Sequence, residues 1–180
     1  FRVNIMKGQA IVRETEKIRI FLELSRRIED PVLFNIVACF GTYSYITLFN
    51  LRLRAEAFEP YPKMIEYMKD IIRLNNIPNI TVNEFGLSDR ERKCDMQFGS
   101  AFQRAELNLN VGTTNIRTDT EGDFLFRSLD SLNIEKMDLV KIDVEGHEME
   151  VLEGARETLR RCRPAYIQIE IHNTKKDRKE

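Results

Sequence analysis

The chain has 180 residues, of which 42% are hydrophobic and 32% charged, and its formal net charge is -1. This composition predicts a globular protein with a single domain, 1–180. The near-neutral charge gives no electrostatic case for a nucleic-acid partner, because nucleic-acid-binding proteins usually carry a clustered basic surface. No stretch approaches the roughly 18 consecutive apolar residues of a membrane span. We therefore expect no nucleic-acid partner and no membrane span.

The cysteines and the first residues bear on where the protein works. Cys39, Cys94 and Cys162 are far apart, which favours free thiols in a reducing compartment over a disulfide framework. Residues 1–17 lack the basic and then apolar layout of a secretory signal. These features predict a cytoplasmic protein. With two histidines and no paired-cysteine motif, we expect no structural zinc site and assign no metal ligands, while the acidic cluster from Asp143 to Glu148 leaves metal dependence open.

The first half of the chain alternates between helix and strand patterns. Apolar residues recur along one face over 14–27, which predicts a helix, and Asp30-Pro31 ends it. The run VLFNIVACF (32–40) is almost wholly apolar, as in a strand buried on both faces of a parallel sheet, and Gly41 ends it. We expect a helix over 42–53, a strand over 55–58, a helix from Pro62 and a strand over 80–85.

The second half begins with a less regular part. Residues 93–98 and 124–127 are predicted to be extended, with a polar stretch of loops and minor strands around 112–115. LVKIDV (139–144) predicts a strand, 148–161 a helix and 166–171 a last strand. The alternation predicts an α/β fold, a doubly wound and mostly parallel sheet. Ligands of such sheets bind beyond the carboxyl ends of the strands, where Gly41, Glu59 and Asp143 converge.

Gly41 and Glu59 form the first candidate constellation. A glycine after the first strand allows close approach of a ligand, and an acid about 20 residues later can accept hydrogen bonds from a ribose. A turn glycine and a surface carboxylate explain the same two residues equally well. The G-x-G-x-x-G fingerprint of dinucleotide sites is absent, which counts against a nicotinamide cofactor. Tyr43 is expected to pack on the sheet, with ligand contact at the loop as the alternative.

The second constellation is KIDVEGHE (141–148), at the end of a strand. Asp143 is a candidate for orienting a substrate, and Glu145 and His147 are candidates for a general base. The plainer interpretation is that Glu148 begins a helix with a favourable dipole interaction and that His147 is a partly exposed loop residue.

Several segments match one family. They are DLVKIDVEGHEMEVLEGA (138–155), AFEPYP (57–62), NNIPNITVNEFGLSD (75–89), SLDSL (128–132) and the loop at 112–114. Together they resemble the FkbM-type methyltransferases, over nearly the whole chain from 14 to 171. The resemblance implies the class I methyltransferase (Rossmann-like) fold, S-adenosyl-L-methionine as cofactor, and O-methylation of a small-molecule, sugar or lipid-like acceptor.

The resemblance also assigns roles and parts. It implies that Glu59 and the following Pro60 lie at the cofactor ribose, that Gly86 and Leu87 lie near the adenine, and that Asp143 lies between cofactor and acceptor. The expected parts are a helical cap (1–30), a cofactor half (31–90), a variable substrate-side segment (91–137) and a late strand-helix-strand (138–174). The family continues into a helix and an antiparallel hairpin, and we expect this hairpin to be missing here.

The first loop departs from the family pattern D-V-G-A-N-x-G. Asn35 stands in place of the acid and Val37 in place of the first glycine, while Ala38 and Gly41 are retained. A β-branched residue in place of a glycine with positive φ should clash or change the backbone. The leading hypothesis is a methyltransferase. The alternatives are a non-catalytic binding or regulatory relative with a degenerate loop, and a nucleotide-linked oxidoreductase.

Overall fold

A computed structural model describes residues 8–98, 114–117 and 121–171. The first helix, α1, spans Gly8–Ser25, so it begins earlier than the sequence pattern predicts. Its residue Phe21 is fully buried and meets the rings of Tyr43 and Tyr166 edge-on, at 5.4 and 5.2 Å between centroids. These contacts fix α1 against one face of the main sheet.

The strands, in chain order, are β1 (Val32–Ile36), β2 (Arg54–Phe58), β3 (Ile80–Asn83), β4 (Gly86–Leu87), β5 (Arg92–Phe98), β6 (Thr114–Arg117), β7 (Phe124–Arg127), β8 (Leu139–Ile142) and β9 (Tyr166–Ile169). Five form a parallel sheet in the order β3-β2-β1-β8-β9. The other four form a mixed sheet in the order β4-β7-β5-β6. The predicted doubly wound α/β architecture is confirmed.

In the part of the chain that the structure describes, three helices follow α1: α2 (Pro62–Leu74), α3 (Glu148–Glu153) and α4 (Arg156–Cys162). Short 3-10 helices span Ser44–Phe49 and Leu129–Ser131. Alternate residues of the central strands pack on opposite faces of the main sheet. Leu33 and Leu139 meet α1, whereas Phe34 and Val140 belong to a second core with residues of α3 and the mixed sheet. Among the described residues, no helix combines the length and apolar character that a bilayer crossing requires.

Two helix predictions are wrong, one in the type of helix and one in its continuity. The expected helix over 42–53 is only the 3-10 segment Ser44–Phe49, since its aromatic and β-branched residues are weak helix formers. The helix expected over 148–161 is broken into α3 and α4 at Gly154. A β-carbon on Gly154 would lie 1.9 Å from the carbonyl oxygen of Ser88, so the backbone at this break packs directly against the segment that contains Ser88.

Several predicted strands are shorter than expected. β1 ends at Ile36, not at residue 40, because Val37 and Cys39 take positive φ values of 52° and 50°. β3 ends at Asn83, β8 at Ile142 and β9 at Ile169. The extended segments expected near 93–98 and 124–127 are confirmed as β5 and β7. Gly112, Thr113 and residues 172–180 lie outside the described residues, so the expected absence of the hairpin stays a prediction.

Candidate active site

The carboxyl ends of three neighbouring strands lie in one row. Ile36 of β1 pairs in register with Phe58 of β2 and with Ile142 of β8. The next residues along the chain, Glu59 and Asp143, therefore emerge at the same edge on either side of the loop that follows β1. The predicted convergence of these candidates is confirmed.

The loop after β1 turns through three left-handed residues: Val37 (φ 52°), Cys39 (φ 50°) and Gly41 (φ 79°). The N–H of Ala38 donates to the carbonyl of Phe58 at 2.9 Å, and the N–H of Gly41 donates to the carbonyl of Ala38 at 2.7 Å. Val37 thus keeps a backbone conformation that favours glycine, despite its β-branched side chain. The backbone at position 37 therefore has the conformation that a glycine adopts easily, and Val37 is strained in it.

Glu59 joins this loop to the end of β2. Its side chain is 2% exposed, and its two carboxylate oxygens accept the N–H groups of Cys39 and Tyr61, each at 2.9 Å. Burial raises the pKa of Glu59 to about 7, against the lowering effect of those two N–H groups and of the positive charge of Lys141. Burial and the nearby Glu59 charge raise the pKa of the Cys39 thiol to about 12, so this cysteine is not a reactive thiolate.

The other predicted residues of the first loop are buried. Asn35 donates to the hydroxyl oxygen of Ser44 at 3.1 Å, but its own Oδ1 accepts no hydrogen bond from any described residue. Tyr43 packs against α1, and its hydroxyl accepts a hydrogen bond from Gln168 at 3.3 Å. The packing interpretation of Tyr43 is confirmed by these contacts, and its contact with a ligand stays a prediction.

Gly86, Leu87 and Pro60 are also buried. A β-carbon on Gly86 would lie 2.3 Å from the ring of Phe126, so a protein side chain already fills the space beside this glycine. Leu87 belongs to the hydrophobic core that includes Val140. The assignment of these residues to an adenine site stays a prediction.

Asp143 forms an ion pair that the sequence did not predict. Its Oδ2 lies 3.2 Å from Nζ of Lys141, whose side chain is 9% exposed, against 28% for Asp143. The Lys141 ammonium also lies 5.5 Å from the ring centroid of Tyr43. Lys141 is the single charged residue inside the strand LVKI, and this was its signal in the sequence, because a lysine is rarely buried without a partner.

The segment after Asp143 is a tight turn. Glu145 and Gly146 both have positive φ, 51° and 95°, and the N–H of Gly146 donates to Oε1 of Glu148 at 2.9 Å. Glu148 begins α3, as the plainer interpretation expected. Within the described ranges, no three His, Cys, Asp or Glu side chains are grouped as a metal ion would require.

His147 is 4% exposed, so it is not the partly exposed loop residue that the plainer interpretation expected. Its Nε2 lies 3.0 Å from Oγ of Ser88, which itself donates to Asp89, so Nε2 is the donor in this contact. Nδ1 lies 3.5 Å from a carboxylate oxygen of Glu150. Burial lowers the pKa of His147, although Glu150 and Glu148 oppose this effect. A role as general base stays a prediction.

Comparison with known proteins identifies the family. The model of the FkbM methyltransferase domain matches residues 35–180. Hexuronic acid methyltransferase AglP from Haloferax volcanii is 28% identical over 179 residues, which is 96% of this chain and 66% of that protein. The crystal structure of methyltransferase FkbM from Methylobacillus flagellatus KT matches with a TM-score of 0.52 at 18% identity, over 76% of this chain and 32% of that one.

The likeness to the solved structure supports the class I methyltransferase fold, and the family model covers the whole candidate site. The chain belongs to the FkbM methyltransferase family.

Proposed function

We propose that this protein transfers a methyl group from S-adenosylmethionine to an oxygen of a sugar-related acceptor. The observation that carries the proposal is the row formed by Glu59, the left-handed loop after β1, and Asp143 at one sheet edge. The similarity to a hexuronic acid methyltransferase supports a sugar-related acceptor.

The residues at this edge fit the ribose of the cofactor. Among the described residues, the Glu59 carboxylate accepts only two N–H groups, one on each oxygen. A carboxylate has about four acceptor positions, so two remain for the neighbouring hydroxyls of a ribose. The ionised form is the better acceptor, and hydroxyl donation lowers the free energy of that form. Glu59 is therefore our proposed ribose ligand.

Bound S-adenosylmethionine supplies a methyl group on a positively charged sulfur. We assign Asp143 to orient the acceptor hydroxyl and to receive its proton as the oxygen takes the methyl group. The side chain is partly exposed at the edge and its carboxylate is held by Lys141, which suits a group that must meet a substrate in one orientation. Glu145 is the alternative base, since it follows Asp143 by two residues. The buried contacts of His147 favour a supporting role in this turn.

The first test is calorimetric titration with S-adenosylmethionine and S-adenosylhomocysteine. Binding with a Kd near micromolar, about -8 kcal/mol, is the expected result. Methyl transfer is then assayed by mass spectrometry with glucuronic and galacturonic acids and their glycosides, and glucose serves as the uncharged comparison. A folded protein that binds neither cofactor form would refute the proposal and favour the non-catalytic alternative.

The second test replaces Asp143. Asp143→Asn keeps the shape of the side chain and removes its proton-accepting charge, so turnover should fall by about 10²-fold or more. The Kd for S-adenosylhomocysteine should change much less. Asp70→Asn on the exposed face of α2 is the control for the loss of one carboxylate. Full turnover in Asp143→Asn, with turnover lost in Glu145→Gln, would transfer the role to Glu145.

A further inference from the structure

Lys141 is a buried cation in the middle of the parallel sheet. It lies on β8 and pairs in register with Asn35 of β1 on one side and with Gln168 of β9 on the other. Neither of these neighbours carries a charge. Burying an ammonium group costs free energy unless an opposite charge compensates it. The identity of that charge therefore indicates what Lys141 does.

The compensating group lies at the site edge. Nζ of Lys141 is 3.2 Å from Oδ2 of Asp143, two residues further along the chain. The ring centroid of Tyr43 lies 5.5 Å from the same ammonium. The hydrogen bond to Asp143 is the one that Lys141 makes with described residues, although an ammonium has three donors. A lysine that served packing alone would not need to reach the carboxylate that directly follows its own strand.

The charge of Lys141 also acts across the loop after β1. Around Glu59 stand Cys39 from that loop, the N–H group of Tyr61 from the start of α2, and the Lys141 charge from β8. Burial raises the pKa of the Cys39 thiol, the charges of Glu59 and Asp143 raise it further, and the charge of Lys141 lowers it. One cation is thus hydrogen-bonded to Asp143, and its charge also favours the ionised form of Glu59.

We propose that Lys141 is a positioning residue of the methyl-transfer site: its buried ammonium fixes the carboxylate of Asp143 and balances the combined negative charge of Asp143 and Glu59. The inference rests on the proposed function, because it assigns Glu59 to the cofactor and Asp143 to the acceptor. Without the cation, the ionised form of the buried Glu59 carboxylate would lose a favourable charge interaction, and Glu59 would take up a proton more readily.

The experiment uses three variants of the whole chain. Lys141→Met removes the charge and keeps the length of the side chain, and Lys141→Arg keeps the charge. Lys69→Met is the matched control, since Lys69 pairs with Glu84 on the exposed surface of α2 and β3. The first readout is the titration of the Glu59 side-chain carbon in the ligand-free protein, followed by NMR. The second is the Kd for S-adenosylhomocysteine between about pH 6 and about pH 9.

In Lys141→Met, the Glu59 titration should move to higher pH, and the affinity at neutral pH should fall about fivefold for the first unit of that movement. The loss should shrink toward about pH 9, where Glu59 is ionised in both proteins. Lys141→Arg and Lys69→Met should keep the wild-type pH profile. An unmoved Glu59 titration, or a loss of affinity of equal size at every pH, would overturn the inference.

The two readouts separate this inference from the proposed function. If the wild-type protein binds no S-adenosylhomocysteine but its Glu59 titration moves in Lys141→Met, the proposed function fails and the charge balance stands. If Lys141→Met does not fold, the Lys141→Met, Asp143→Asn double variant decides the matter. Recovery of a cooperative thermal transition in the double variant supports the charge pairing, and continued failure to fold shows that Lys141 serves packing and refutes it.

Discussion

Replacing Glu59 with glutamine tests how the site affects the stability of the fold. Burial raises the pKa of Glu59 from its ordinary value of 4.5 to about 7. A raised pKa in the folded state means that this group contributes stability below about pH 4.5 and that the contribution is lost as the pH rises through about 7. The full difference corresponds to about 3 kcal/mol, since each pKa unit is worth about 1.4 kcal/mol.

The assay compares the free energy of unfolding in urea at about pH 5 and about pH 8.5 for the wild-type protein and for Glu59→Gln. The wild type should lose about 2.5 kcal/mol more than the variant over this interval, because the variant has no proton to release. In the variant, the NH2 group of the glutamine faces one of the N–H groups that donate to Glu59 in the wild type. This unsatisfied contact costs about 1–3 kcal/mol at every pH, so it cancels when the two pH values are compared. The variant should also bind the cofactor more weakly.

Glu56→Gln is the control for removing one carboxylate from β2, since its side chain is partly exposed on the same strand. A pH dependence that differs by less than about 0.5 kcal/mol between the wild type and Glu59→Gln would refute the reasoning. The same dependence in Glu56→Gln would assign the effect to net charge.

Two further predictions concern backbone conformation and helix capping. Val37→Gly should be about 1 kcal/mol more stable in urea than Val37→Ala, because only the glycine relieves the left-handed strain, and equal values would contradict the strain. Asp130 accepts the N–H groups of Glu157 and Thr158 at the start of α4, at 3.1 and 2.7 Å, and Asp130→Ala should lose about 1 kcal/mol at neutral pH. Burial raises the pKa of Asp130, but the hydrogen bonds from Thr158 and Glu157 lower it by more, so it lies below its ordinary value of 3.8. The loss in Asp130→Ala should therefore decrease as the pH falls below about 4 and disappear below the lowered pKa; a loss that stays constant through this range would contradict the capping role.

The fold could be predicted from the sequence because its parallel strands are nearly continuous apolar runs, such as VLFNI and LVKI. The position of Glu59 and Asp143 at one edge of the sheet could be predicted, because each residue directly follows a parallel strand. Apolar composition carries no information on φ, so the left-handed turn at Val37 and Cys39 could not be separated from β1. The break at Gly154 also had no local signal, because it depends on a carbonyl group more than sixty residues earlier in the chain.

The contacts of buried polar residues could not be predicted from the sequence either. A histidine in a glycine-containing turn has the same sequence signal whether it faces solvent or, like His147, a serine in the core. Lys141 interrupts an apolar run, but only the register of β8 with β1 and β9 shows that its neighbours are uncharged and that Asp143 must compensate it. Topology thus decides which of several charged residues meet.

The position of β1 in the middle of the sheet has a consequence for how the chain folds. Leu33 pairs with Leu139, so the partner on one side of the central strand is made more than a hundred residues later. Until β8 leaves the ribosome, one edge of β1 exposes an apolar strand with unpaired backbone groups, which is a template for aggregation. Such distant pairing slows folding and makes it cooperative. Fragments that end before β8 should therefore accumulate as insoluble material or require a chaperone, whereas chains that include β9 can close the sheet.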